Sequence, residues 1–166
     1  MEQVKTKTAL KQYLTFNLED VEYAVDVSRV REVLEFCDIT KLVGRDDFVR
    51  GIINLRGSVI PVMDLKLKFN MDKTEKTIDT CIIVLEVEYN SEIIVVGIMS
   101  DSVQEVVDIS VDDIEPPPSI GTAIDVDFIK GMGKKDDKFI IIIDINKIFS
   151  ESELSSLKTV SDKQEE

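Results

Sequence analysis

Hydrophobic and polar positions alternate along this chain in short runs, at the period of two that turns one face of a β-strand to a core and the other to water. Tyr13-Leu-Thr-Phe-Asn-Leu18 alternates in this way, and Glu19-Asp20 turns it into Val21-Glu-Tyr-Ala-Val-Asp-Val27. Ser28 is placed to cap a single helical turn before a third strand, Val30-Arg-Glu-Val-Leu-Glu-Phe36. A loop over 38–47 then leads into an apolar hairpin from Phe48 to Asp64. Further strands are predicted over Thr80–Val87, Glu92–Met99, Ser102–Ile109, Phe128–Gly133 and Lys138–Asp144. Turn signals recur every ~8–12 residues, the spacing of small β-barrels. Helix is minor. Asp64 is placed to cap a helical turn running to Phe69, and Ser150-Glu-Ser-Glu153 is a capping box that opens a short C-terminal helix over 151–158, with Leu154 and Leu157 on its packed face. Residues 1–11 and 159–166 are polar and read as flexible tails.

The hairpin allows two registers. With Gly57-Ser58 as its central pair, Pro61 faces Asn54 in a hydrogen-bonded pair and lacks the N–H that the ladder needs. With Arg56-Gly57 at the centre, Pro61 faces Ile52 in a non-hydrogen-bonded pair and nothing is lost. The second register is the expected one. It turns Ile53, Leu55, Ile60 and Val62 to the core and lifts Arg56 out at the tip, where packing has no use for it.

The same stretch occurs twice. Phe128-Ile-Lys-Gly131 matches Phe48-Val-Arg-Gly51, and Asp144 to Phe149 matches Asp64 to Phe69, all at an offset of 80. A fainter echo at an offset of 73 relates Ala24-Val-Asp-Val-Ser-Arg-Val30-Arg-Glu32-Val33 to Gly97-Ile-Met-Ser-Asp-Ser-Val103-Gln-Glu105-Val106. Two similar β units are therefore expected, roughly 12–69 and 78–149 within one domain over 12–150, with exchange of strands between them left open. Met71 to Asp79 is a charged connector between them. Glu115-Pro-Pro-Pro-Ser119 reads as an extended spacer barred from a central strand.

A net charge of −13 opposes nucleic-acid binding, which depends on cations that displace counterions from phosphate. No apolar run approaches the ~18 residues of a membrane span, and the N-terminal residues lack the apolar segment of a secretory signal. Cys37 and Cys81 lack paired spacing and read as small buried hydrophobes in a reducing, cytoplasmic compartment. The absence of histidine removes Ser–His and Cys–His nucleophilic sites and histidine metal ligands. Neither the P-loop nor the G-x-G-x-x-G spacing is present. Carboxylates are too numerous for any pair of them to be informative. Asp46-Asp47, Asp112-Asp113 and Asp136-Asp137 read as solvated turns, and Asp125-x-Asp127 lacks the rest of a calcium loop. No catalytic residue, metal or cofactor is expected. A small carboxylate-based hydrolase is the competing class.

A few residues exceed what a core needs. Glu32 in the third strand and Arg56 at the hairpin tip are placed to approach each other, either as an ordinary surface ion pair or as a pair that positions a partner. Gly51 and Gly97 interrupt strands, where glycine marks a bulge or a close backbone approach. Val30 and Val106 lie within the two echoing segments, at the head or end of strands, and read as core.

Gly51-Ile-Ile-Asn54-Leu55-Arg56-Gly57-Ser-Val-Ile-Pro61-Val-Met-Asp64-Leu65 resembles the signature of the CheW-like coupling proteins of bacterial chemotaxis. The resemblance runs from about Tyr13 to Phe149 through Val30-Arg-Glu-Val, Val96-Gly-Ile and Phe128-Ile-Lys-Gly. It implies an all-β fold of two SH3-like five-stranded barrels with a hydrophobic groove between them, plus the short C-terminal helix. It also implies a non-enzymatic adaptor that bridges the cytoplasmic tip of chemoreceptors and the regulatory domain of the chemotaxis histidine kinase. Such an adaptor is cytoplasmic, recruited to the inner face of the membrane through receptor arrays without inserting itself. A receptor-only scaffold is the narrower alternative. Carried over by position, the family's binding residues are Val30, Glu32, Gly51, Arg56, Gly57, Gly97 and Val106, undivided between the two partners.

Overall fold

Each strand predicted from the alternation forms in a computed structural model of the chain, which describes residues 10–42, 47–117 and 126–163. In order these are β1 (Leu10–Leu18), β2 (Val21–Asp26), β3 (Val30–Glu35), β4 (Val49–Leu55), β5 (Ser58–Asp64), β6 (Cys81–Tyr89), β7 (Glu92–Ser100), β8 (Ser102–Ser110), β10 (Ile129–Lys135) and β11 (Lys138–Ile143). A two-residue strand that the sequence does not announce, β9 (Ile114–Glu115), stops at the prolines. The helices are α1 (Leu65–Lys68), α2 (Ile145–Ile148) and α3 (Glu151–Lys163).

Strand ends shift by one to three residues, and two boundaries move into the expected tails. β1 begins at Leu10, inside the expected tail, because Leu10 and Lys11 pair with Ser110 and Ile109 of β8. α3 runs past residue 158 to Lys163, so the expected C-terminal tail begins as helix. The capping box at its start forms as predicted: Glu153 N–H donates to Ser150 Oγ at 3.1 Å, and Ser150 N–H to Glu153 Oε1 at 2.7 Å.

The strands form a six-stranded sheet, β8-β1-β2-β11-β10-β9, and a five-stranded sheet, β3-β6-β7-β5-β4. Strands are therefore exchanged between the two units, the possibility that the sequence leaves open. β1 and β2 join the strands of the second half, while β6 and β7 join those of the first. Two parallel pairings carry the exchange, Val62 against Gly97 and Ile142 against Ala24. These are the same contact in the repeat, since 142 − 62 = 80 and 97 − 24 = 73. Each sheet closes by the same device. The chain leaving β3 bridges Thr40 to Ile52 of β4, and the chain leaving β8 forms β9 against Met132 and Gly133 of β10.

Side-chain alternation then sorts the interior into three clusters. Ile82 and Val84 of β6 face inward with Ile53, Ile60, Val62 and Met99. Ile140 and Ile142 of β11 do the same with Tyr13, Ala24, Val107 and Ile109. The intervening Ile83, Leu85, Ile141 and Ile143 face a core shared by both units, together with Phe16, Tyr23, Phe69 and the α3 residues Leu154 and Leu157. A strand buried on both faces reads as a continuous apolar run, as Cys81–Leu85 and Phe139–Ile143 do. Each fully buried Leu, Ile or Phe stabilises the fold by roughly 1.5–3 kcal/mol.

Burial in this shared core pushes the Tyr23 phenol from 10.0 up to about 12, and the Glu19 carboxylate adds to the shift. The unfolded chain therefore loses this proton first. The stability is fully present below pH 10.0 and is lost toward pH 12 at about 1.4 kcal/mol per pH unit. Denaturant midpoints followed through that window should fall, and Tyr23→Phe should flatten the fall. The cysteines depart from expectation: Cys37 is exposed, because it lies beyond the end of β3, and Cys81, the first residue of β6, is only half-buried.

Candidate functional site

The β4–β5 hairpin folds in the register that Pro61 requires, with Ile52 opposite Pro61 and Leu55 opposite Ser58. Arg56 (φ 51°) and Gly57 (φ 89°) form its two-residue turn, both left-handed. Asn54 Oδ1 accepts the Gly57 N–H at 2.9 Å and fixes the turn from below. Ile53, Ile60 and Val62 are buried as predicted, and Leu55 is half-buried.

The tip carries Arg56 to β3, where its guanidinium donates to both carboxylate oxygens of Glu32. The Arg56 side chain stays 70% exposed and that of Glu32 29% exposed. The hydrogen bond from Arg56 to Glu32, with their mutual attraction, raises the guanidinium pKa above its usual value. A register shift between Val30 and Glu32 against β6 re-aims this strand, as bulges do. Two further pairs, Arg31–Glu86 at 2.7 Å and Arg29–Glu88 at 3.4 Å, lie along the same β3–β6 edge. Val33, 40% exposed, stands beside Glu32. A charged rim is the result, with Val33 on the face of β3 opposite to Glu32 by the strand's alternation.

Of the seven candidate residues, three meet here: Glu32 on β3, and Arg56 and Gly57 at the tip. Val30 is partly buried against the shared core. Gly51 and Gly97 are buried and face neither solvent nor the rim. At Gly51 (φ +146°) an added Cβ would lie 2.1 Å from the Thr40 carbonyl oxygen, at the point where the sheet closes. At Gly97 it would lie 2.9 Å from the Ile82 side chain, inside the barrel. Val106 sits on the other sheet and is 50% exposed, which corrects its reading as core; β8 is an outer strand whose outward face is open there.

The repeat contains a second copy of this arrangement that the sequence reading passes over. Glu105, the echo of Glu32, pairs with Lys135 at the tip of the β10–β11 hairpin, whose turn residues Asp136 and Asp137 adopt φ of 51° and 65°. That hydrogen bond raises the Lys135 pKa. Val106 flanks Glu105 as Val33 flanks Glu32. The signal was the pair of offsets, obscured because the cation stands one place before the echo of Arg56.

Among the described residues, no group of His, Cys, Asp or Glu is arranged to hold a metal ion, and no helix is long and apolar enough to cross a membrane. Asp125, part of the weak calcium pattern, lies outside the described residues.

Residues 12–153 match the CheW-like domain family. The chemotaxis protein CheW of Klebsiella aerogenes is 29% identical over 155 residues, which is 93% of this chain and 91% of that protein. The CheW protein of Treponema pallidum is 30% identical over 150 residues, 88% of this chain and 86% of that one. The crystal structure of the scaffolding protein TtCheW from Thermoanaerobacter tengcongensis superimposes with a TM-score of 0.77 at 40% identity, covering 86% of this chain and 94% of that one.

Proposed function

The chain belongs to the CheW-like family, a family of non-catalytic chemotaxis scaffolds, and on that premise we propose that it couples transmembrane chemoreceptors to the chemotaxis histidine kinase by binding both. The domain over 12–150 acts as one unit, recruited to the inner face of the membrane by the receptors it binds. A receptor helix docks by apolar contact in the hydrophobic groove that the resemblance implies between the two β units, and the kinase's regulatory domain meets the rim built by β3 and the β4–β5 tip. Such coupling requires unequal affinity for the receptor's signalling states, since a ligand that binds both equally shifts nothing.

The observation that carries this reading is the Glu32–Arg56 pair. Exposed ion pairs add little to stability, so the pair has small value to the fold. At an interface, the same two charges fix register and steer encounter. Gly57 completes this surface, and Val30 supports it from β3, partly buried against the shared core. Gly51 and Gly97 serve it through the fold, and Val106 belongs to the second face beside Glu105 and Lys135.

Calorimetric titration of the chain into the isolated regulatory domain of a cognate kinase tests the proposal. Saturable binding is expected, weakened about tenfold or more by Arg56→Glu. The unfolding midpoint should stay unchanged, and Glu32→Arg added to Arg56→Glu should recover part of the affinity. Wild-type affinity in Arg56→Glu would remove the pair from the interface. Receptor binding without kinase binding would leave a receptor-only scaffold.

A further inference from the structure

Asp64 and Asp144 are conformational copies, 80 residues apart. Their φ/ψ values are −103°/100° and −98°/100°. Their N–H groups donate to the Phe48 and Phe128 carbonyls at 2.7 and 2.8 Å. Each Oδ1 accepts the N–H of the residue two places on, Lys66 or Asn146, at 3.1 Å. What else reaches the carboxylate differs.

Asp64 is sealed by the connector. Thr74 donates its N–H to Oδ2 at 2.9 Å and its hydroxyl to Oδ1 at 2.7 Å. Arg50 donates to Oδ2 at 3.0 Å and to the Thr74 carbonyl at 3.2 Å. A single threonine in an irregular segment thus offers its N–H, hydroxyl and carbonyl to one Asp–Arg pair, and both Asp64 and Thr74 are fully buried. In the second copy, Lys130 stands where Arg50 does, but the chain leaving Phe149 enters α3. No described residue takes the place of Thr74. A cavity of about 410 Å³ lies there, bordered by Lys11, Asp26, Arg29, Lys130, Asp144 and Asn146. Among the described residues Asp144 Oδ2 receives no donor and Lys130 has no ion-pair partner.

We propose that this cavity is a docking slot for an extended segment of a partner protein bearing a threonine or serine, held as Thr74 is held. The partner's N–H and hydroxyl go to Asp144, and its carbonyl accepts from Lys130. Such a segment loses no hydrogen bond on leaving water, because every polar group of the anchoring residue is matched. The inference stands on the repeat, not on the adaptor reading, and its test contains no chemotaxis component.

The probe is a capped peptide with the connector's own sequence, Met71-Asp-Lys-Thr-Glu-Lys-Thr77, titrated into the full chain and followed by amide chemical shifts. Saturable shifts are expected at Lys130, Asp144 and Asn146. Alanine at the peptide's Thr74 position should weaken binding about tenfold, as should Lys130→Ala or Asp144→Asn in the protein. Asparagine keeps the helix cap and Lys130 is exposed, so both variants fold. Three results would overturn the proposal: no shift at these amides at millimolar peptide, shifts indifferent to the alanine peptide, or shifts confined to Arg50, Asp64 and Thr74, where the peptide would be displacing the connector.

Discussion

Gly51→Ala should lower the free energy of unfolding by about 3–5 kcal/mol, a large part of the ~5–15 kcal/mol that holds a domain of this size together. Two costs add. Gly51 has φ +146°, a conformation that side-chain-bearing residues rarely adopt, and its new Cβ would fall 2.1 Å from the Thr40 carbonyl oxygen. That oxygen accepts the Ile52 N–H at 2.8 Å, in the bridge that closes the five-stranded sheet, so it has no room to retreat without opening the closure. Urea unfolding measures the loss. The repeat supplies the control. At Gly131 the added Cβ would meet the Ile114 side chain at 2.4 Å and the Glu115 carbonyl only at 3.1 Å, with no left-handed φ to maintain. A side chain can shift where a backbone bridge cannot, so Gly131→Ala should cost less. Equal losses at the two positions would mean that φ and the bridge do not set the cost.

The same geometry decides how a Gly51 variant with impaired signalling is to be understood. Gly51 is buried beneath the Thr40 strand end, so loss of partner binding in Gly51→Asp should track loss of fold. Arg56 is the reverse case, exposed and dispensable to the core. A functional defect without a stability defect is expected there alone of the two.

How far the sequence reveals this molecule depends on the range of the interaction. The hairpin register was legible because Pro61 lacks an N–H and so rules out one of two local pairings. The two-sided burial of β6 and β11 is written in their unbroken apolar runs, a signal that the period-two pattern does not use. The exchange of strands was not legible, because alternation tells a strand which face to bury but not which distant strand to join, and the deciding pairs are Val62–Gly97 and Ile142–Ala24. At the site, Glu32 and Arg56 stood out because a core has no use for either. Thr74 did not, for the opposite reason: a threonine among Asp72, Lys73, Glu75 and Lys76 looks solvated, and only the folded chain shows it closed over Asp64. Val106 misled because an apolar residue within a strand reads as core, whereas β8 buries Val107 and Ile109 and leaves Val106 exposed.

Asp64→Ala should be as damaging as Gly51→Ala, at about 3–5 kcal/mol, whereas Asp144→Ala should cost about 1 kcal/mol. The two aspartates have the same backbone, the same main-chain hydrogen bond and the same capping role, so the capping loss is common to both. The difference is what the carboxylate leaves behind. Without Asp64, the Thr74 N–H and hydroxyl are buried with no acceptor, and the Arg50 guanidinium, 24% exposed at its side chain, loses its counter-charge. Asp64→Asn should fall between, since an amide oxygen still accepts one donor while its NH₂ opposes Arg50. The connector should come free before the sheets do. Amide exchange at Thr74 should therefore accelerate in Asp64→Asn by more than at Ile83, which lies in the shared core. Equal acceleration at both amides would mean that the connector and the sheets open as one unit, and that Asp64 holds the whole fold and not the segment over it.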